Sequence, residues 1–199
     1  MASDPPVFSP DPGASANARG KNVSCLTLMG PHQEETRCIA ERLAGRLQWG
    51  WIDTDHLVEA WFGLGLDALK TQLGVVGFRK AYEQVLLELN VACLVIAAGS
   101  GAVLSPKVVR FLQHQGTLVF LRPPDRIWEQ HIQQEFLRGF HLEPGVSGQD
   151  LLLEFNGRLP RTADLVLLDG VCSAESAAES ILKGLYGHQE TGTEAKQAF

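Results

Sequence analysis

Four short apolar runs constrain this chain most: VSCLTLM at 23–29, ACLVIAA at 92–98, TLVFL at 117–121 and DLVLLD at 164–169. None alternates apolar with polar residues, so a strand built from any of them must be covered on both faces. That is the situation of a parallel sheet between two helix layers, and the segments between the runs supply helices. Ile39, Leu43 and Leu47 fall at i, i+4, i+8, and Tyr82, Val85, Leu86 and Leu89 at i, i+3, i+4, i+7, spacings that place each set on one helix face. The alternation predicts an α/β fold, a three-layer doubly wound sheet. In that architecture ligands bind beyond the C-terminal ends of the strands. The turns after Met29, Asp53 and Ala98 are therefore where function is sought. No internal repeat is visible.

The ends of the chain do not fit this pattern. Residues 1–22 are rich in Pro, Ser, Ala, Gly and Asp, and 188–199 are mainly polar and small; both read as flexible tails around one domain at 23–187. Lys+Arg 17 against Asp+Glu 23 leave a net charge of −6, mostly within that domain, and argue against a nucleic-acid partner. No apolar run is long enough for a membrane span, and the N-terminus lacks an apolar segment behind a basic start. A cytoplasmic protein with no membrane partner is expected. Cys25, Cys38, Cys93 and Cys172 are scattered without metal spacing, so reduced, mostly buried thiols are expected. The six histidines show no metal spacing either.

The turn after the first run carries the most chemical information. A strand leading into Gly30 and then a helix is the layout of a phosphate-binding loop, which reads G-x-x-x-x-G-K-S/T. Its second glycine lets backbone N–H groups wrap the phosphates, its lysine reaches their oxygens and its hydroxyl holds magnesium. Here the eight residues are GPHQEETR. Gly30 remains, while Glu35 stands at the second glycine, Thr36 at the lysine and Arg37 at the hydroxyl position.

Downstream, Asp53 and Asp55 form D-x-D. Val58-Glu59, Gly63, Gly74 with Phe78-Arg79, then Tyr82 or Glu83, Gly99-Ser100-Gly101, and Gly116 with Val119 to Leu121 follow in order. This series resembles the shikimate kinase family, whose pattern runs D-x-D, I-E, G, G-x-x-x-F-R-x-x-E, T-G-G-G and G-x-V-V-Y-L. From Asp53 to Arg79 no gap is needed. The resemblance covers roughly residues 24–170 and implies a P-loop kinase fold with about five parallel strands in the order 2-3-1-4-5 and a lid segment.

The resemblance also implies roles. Asp55 would sit by the acceptor hydroxyls of shikimate as the catalytic carboxylate, and Asp53 would organise magnesium if the protein is active. Arg79 would clamp the substrate carboxylate, a task suited to a planar bidentate donor. Gly99, Ser100 and Gly101 would let the backbone approach the ring, with Ser100 departing from the triple glycine. In the lid, Arg138 would cover the transferring phosphoryl group, although Gly139 stands where proline is usual. Arg158 becomes a second carboxylate arginine only if the alignment shifts, since Phe155 otherwise holds that place. Gly30, Thr36 and Arg37 would be what remains of the nucleotide loop.

Charge argues against ordinary ATP use. The loop loses its lysine and gains Glu34 and Glu35. Unit charges about 5 Å apart at an effective dielectric near 20 interact by roughly 3 kcal/mol, enough to weaken triphosphate binding on the order of a hundredfold. The same two glutamates suit a helix N-terminus, so they are expected to satisfy the terminus that phosphates would occupy. Three functions follow. The first is a catalytically degenerate shikimate-kinase-like protein that keeps part of a carboxylate and polyol site and needs no cofactor. The second is an active kinase using ATP with Mg2+, in which Arg37 or Arg138 substitutes for lysine. The third is a protein-interaction module, with Trp49 and Trp51 as exposed candidates or, more simply, as packing at the second strand. A small ligand resembling shikimate and a monomeric state are the expected associations.

Overall fold

The computed structural model describes residues 24–30, 32–99, 102, 105–122, 157–168 and 173–186. In chain order the elements are β1 (Cys25–Met29), α1 (Gln33–Leu47), β2 (Gly50–Asp53), α2 (Thr54–Phe62), α3 (Leu66–Leu87), β3 (Leu94–Ala98), α4 (Pro106–Gln115), β4 (Thr117–Arg122), β5 (Leu165–Leu168) and α5 (Ala174–Tyr186). Residues 157–162 form a short helical stretch before β5. The five strands make one parallel sheet in the order β2-β3-β1-β4-β5, as the family resemblance implies. The two tails and the lid segment lie outside the described residues.

The unalternating apolar runs are explained by where their side chains go. Successive residues of a strand point to opposite faces, and here each face meets a helix layer. Cys25, Met29, Ile96, Ala98, Leu118 and Phe120 pack with residues of α2, α3, α4 and with Leu159. Leu26, Leu28, Val95, Ala97, Val119 and Leu121 pack with α1 and α5. A fully buried Leu, Ile or Phe contributes roughly 1.5–3 kcal/mol, so a polar residue anywhere in these runs would damage one layer or the other. Gly116, just before β4, allows a close approach of backbone to backbone: a Cβ there would lie 2.0 Å from the Cys25 carbonyl oxygen.

The helices start and break where local chemistry directs. Asp53 caps α2 by accepting from the N–H groups of Asp55 and His56, and Ser105 caps α4 by accepting from Val108, with Pro106 in the first turn. Such caps stabilise a helix by about 1 kcal/mol. Gly74 has φ 64 and ψ 178 and kinks α3, a conformation that favours glycine. Two expectations need correction. Of the three cysteines among the described residues only Cys25 is buried; Cys38 is exposed and Cys93 intermediate, because α1 turns Cys38 away from the core. Trp49 packs partly buried against the α1–α5 layer, whereas Trp51 points outward from β2, so they are not a pair of like environment.

Candidate active site

Parallel register brings the predicted turns together. Met29 lies opposite Ala98 and Asp53 opposite Ala97, so the residues after β1, β2 and β3 emerge at one edge of the sheet. Gly30 leaves β1 under tight packing, since a Cβ there would come within 2.8 Å of Thr36 Oγ1 and 3.2 Å of Leu121 Cβ. Thr36 is buried and its hydroxyl donates to the His32 carbonyl at 2.9 Å. The side chain at the lysine position is thus folded back onto its own helix turn. Glu34 and Glu35 occupy the first turn of α1 and are exposed. No hydrogen bond ties either of them to a described residue, so they act on the helix terminus through its dipole alone.

Arg37 makes the decisive contact of this turn. Its Nε donates to Asp53 Oδ2 at 2.8 Å, forming an ion pair in which Asp53 is 1% exposed and Arg37 32%. Gln33 Nε2 donates to the same oxygen at 3.1 Å. The other oxygen, Oδ1, accepts from Asp55 N at 2.7 Å and His56 N at 3.3 Å. A carboxylate offers about four acceptor positions, and four donors meet them. Burial by itself would raise the Asp53 pKa, but these hydrogen bonds together outweigh it and hold the group below the usual carboxylate range.

Asp55 has a different setting on the other side of Thr54. Tyr82, reaching in from α3, donates to Asp55 Oδ1 at 2.5 Å, and its oxygen lies 2.7 Å from Thr54 Oγ1. Gly99 N–H donates to that same Thr54 oxygen at 2.8 Å. Asp55 lies flat on the turn after β3: a Cβ on Gly99 would meet Asp55 Oδ1 at 1.9 Å and Oδ2 at 2.7 Å. The glycine here is a requirement of the carboxylate packed on it. Burial pushes the Asp55 pKa up, the Tyr82 hydrogen bond opposes that, and the nearby Asp53 charge adds to the rise. Adjacent aspartates are therefore tuned in opposite directions.

Arg79 is half-buried on α3, one turn before Tyr82, which puts it on the flank of the helix that carries the Tyr82 contact. Glu83 accepts from Ser105 Oγ at 2.6 Å and so ties α3 to the cap of α4. Arg158 lies in the stretch 157–162, where its carbonyl accepts from Thr162 Oγ1 and Leu159 anchors the turn in the core. Ser100, Gly101 and Arg138 lie outside the described residues. Sequence reasoning missed Gln33 and Thr54 as members of this cluster, and left Tyr82 as one of two choices for a motif glutamate. The only available signal was the ungapped F-R-x-x spacing, which lands on Tyr82. Lys70 was also unanticipated; its ammonium lies 5.4 Å from the centre of the Phe78 ring and its charge lowers the Asp55 pKa. Among the described residues no group of three or more His, Cys, Asp or Glu is placed to hold a metal ion, and no helix is long and apolar enough to cross a membrane.

Known proteins share both the sequence pattern and the fold. The family model for shikimate kinase matches residues 37–185. The shikimate kinase of Microcystis aeruginosa is 31% identical over 170 residues, covering 84% of this chain and 87% of the relative. That of Halorhodospira halophila is 28% identical over 173 residues, covering 85% and 98%. Among solved structures, the shikimate kinase from Acinetobacter baumannii in complex with shikimate superposes with a TM-score of 0.67 at 27% identity, over 81% of this chain and 92% of that one. By its sequence and its five-stranded parallel fold, the chain belongs to the shikimate kinase family.

Proposed function

We propose that this protein is a catalytically degenerate member of the family, one that has given up ordinary use of MgATP and retains a site for a small carboxylated polyol resembling shikimate. The observation that carries the reading is the Arg37–Asp53 ion pair. Arg37 stands where a working loop has its magnesium-holding hydroxyl, and it is bonded to the aspartate that the family resemblance assigns to the metal. With Gln33 and two backbone N–H groups filling the remaining positions, Asp53 does not fit as a magnesium ligand. A hard cation needs unengaged oxygen, and a guanidinium already neutralises the charge. Thr36 adds support, since its hydroxyl is directed to the His32 carbonyl and brings no positive charge to a phosphate.

The substrate side is better preserved in kind. Asp55 Oδ2 has no partner among the described residues and can accept from a ligand hydroxyl. Arg79 is the candidate for a ligand carboxylate, where two parallel N–H donors fit two oxygens. Gly99 keeps the turn after β3 free of a side chain. In a working member the nucleotide supplies the phosphoryl group and the protein supplies position and charge. Here the chain's own residues bind and orient the polyol and carry no transfer.

Thermal-shift measurements with shikimate, with ATP plus magnesium, and with both test the reading. A ligand at about 100 times its Kd stabilises by roughly 2.7 kcal/mol. Shikimate alone is expected to raise Tm by several degrees, and MgATP to leave it unchanged. Release of ADP in a coupled assay with shikimate would sink the proposal in favour of an active kinase, and silence from both ligands would favour an interaction module.

A further inference from the structure

We infer that Tyr82 is a positioning residue that holds Oδ1 of Asp55 against the turn after β3, so that Oδ2 is the one oxygen presented to a hydroxyl of the ligand. The inference rests on the polyol-site reading above and adds the residue that sets how the carboxylate meets its ligand. Its basis is a chain of hydrogen bonds whose direction is fixed by counting protons.

Gly99 N–H can only donate, and it meets Thr54 Oγ1 at 2.8 Å. Asp55, when ionised, can only accept, and its Oδ1 meets the Tyr82 oxygen at 2.5 Å. Between them stand two hydroxyls 2.7 Å apart, each with one proton. The phenol proton is committed to Asp55, so Thr54 must donate to the phenol oxygen while accepting from Gly99. All donors point one way, toward Asp55, and such chains strengthen one another in a low-dielectric interior. Thr54 and Tyr82 are almost wholly buried, which keeps water from offering either proton an alternative.

The ring is held as firmly as its oxygen. Phe78 packs against it with centroids 5.8 Å apart at 59°, and Lys70 sits over the Phe78 ring. On the far side the carboxylate rests directly on Gly99, with Oδ1 only 1.9 Å from where a Cβ would stand, so the turn backs that oxygen. Oδ1 is therefore hemmed in by the phenol and the turn. A ligand with one well-placed ring hydroxyl suits this arrangement better than a vicinal diol bridging both oxygens.

The same count fixes the protonated state. Because Oδ1 already receives the phenol proton, a proton added to Asp55 goes to Oδ2, which changes from acceptor to donor. Ligand binding through Oδ2 should thus follow Asp55 ionisation. The charged groups acting on Asp55 from neighbouring elements are Asp53 of β2, Glu59 of α2 and Lys70 of α3, and none of them shares a hydrogen bond with Oδ1.

The test begins without ligand. Carboxyl carbon NMR titrations of the full chain are compared for the wild type, Tyr82→Phe and Thr54→Val. In Tyr82→Phe the Asp55 signal should titrate at higher pH, by roughly one unit for the loss of one charge-assisted hydrogen bond, with Asp53 unmoved. Thr54→Val leaves the phenol in place and should give a smaller rise, which also serves if Tyr82→Phe proves poorly folded. An unchanged Asp55 titration in these variants overturns the proposal. Calorimetry with shikimate then reads the second half. Affinity should fall about tenfold in Tyr82→Phe at neutral pH, and its acid limb should move up with Asp55. An Asp55 shift with affinity and pH profile unaltered also overturns it. If the wild type takes no shikimate while Asp55 shifts as expected, the positioning role stands and the polyol-site reading fails.

Discussion

Removing the Arg37 guanidinium should destabilise the domain by about 2 kcal/mol at neutral pH. The estimate starts from the contact itself, a 2.8 Å charge-assisted hydrogen bond onto a carboxylate that is 1% exposed, and such bonds contribute roughly 1.5–3 kcal/mol. Breaking a fully buried pair costs about 3–5 kcal/mol, but two facts place this case lower. Arg37 is 32% exposed and partly screened, and Asp53 keeps three other donors. For a domain of this size, about 2 kcal/mol corresponds to a Tm drop of roughly 4–8 °C. Urea unfolding of Arg37→Ala at a series of pH values is the assay. The folded Asp53 pKa lies below its ordinary 3.8, so its contribution is complete above that value and is lost as pH falls through the lower, folded one. Losing Arg37 moves that folded value up, so the two proteins should differ most near neutrality and converge only in strong acid, once the pH has fallen below the folded Asp53 pKa of both. Equal stability at pH 7, or a gap that does not close in strong acid, would refute the reasoning. Arg46→Ala is a useful contrast: its ion pair with Glu175 is exposed on both sides, and its loss should change stability by less than about 0.5 kcal/mol.

Other outcomes follow from single contacts. Arg79→Ala should abolish any thermal shift with shikimate while leaving the unliganded Tm within a few degrees; an unchanged shift would remove Arg79 from the site. Gly99→Ala inserts a methyl 1.9 Å from Asp55 Oδ1, so calorimetry should show ligand binding lost along with a destabilisation of about 1–3 kcal/mol. Gly116→Ala and Gly74→Ala separate two reasons for glycine. The first meets backbone at 2.0 Å and should prevent soluble expression or lower stability by more than about 3 kcal/mol. The second meets nothing within 4 Å but holds φ 64, and should cost only about 1–2 kcal/mol in urea unfolding.

The layered fold was legible because its signal is hydrophobic and repetitive. Runs such as VSCLTLM and TLVFL can only be buried on both faces, and the sheet order came with the family pattern. The convergence of the turns after Met29, Asp53 and Ala98 at one edge of the sheet was legible for the same reason. What the side chains do there was not. The substitution at Arg37 read as a lost hydroxyl and a stray positive charge, because sequence spacing does not say that an arginine on α1 spans to the end of β2. Gln33 had no signal, being an unremarkable position in a turn. Glu34 and Glu35 drew attention as charges near a phosphate loop, yet they point outward, and the acidic group that matters most to Arg37 is Asp53, sixteen residues later. Tyr82 was visible as a departure from a motif, but its meaning required the distance to Asp55.

The strand that carries Asp53 is also an edge. Among the described residues β2 has a ladder partner only in β3; it is four residues long and turns Trp51 outward. Edge strands are where local opening and unwanted pairing begin. Helix α1, by contrast, is packed over the middle of the sheet. A bond from Arg37 to Asp53 therefore works mechanically as a cross-brace, fastening the end of the outermost strand to a central helix. The brace is made by two side chains of the chain itself, so fastening this corner asks nothing of a ligand.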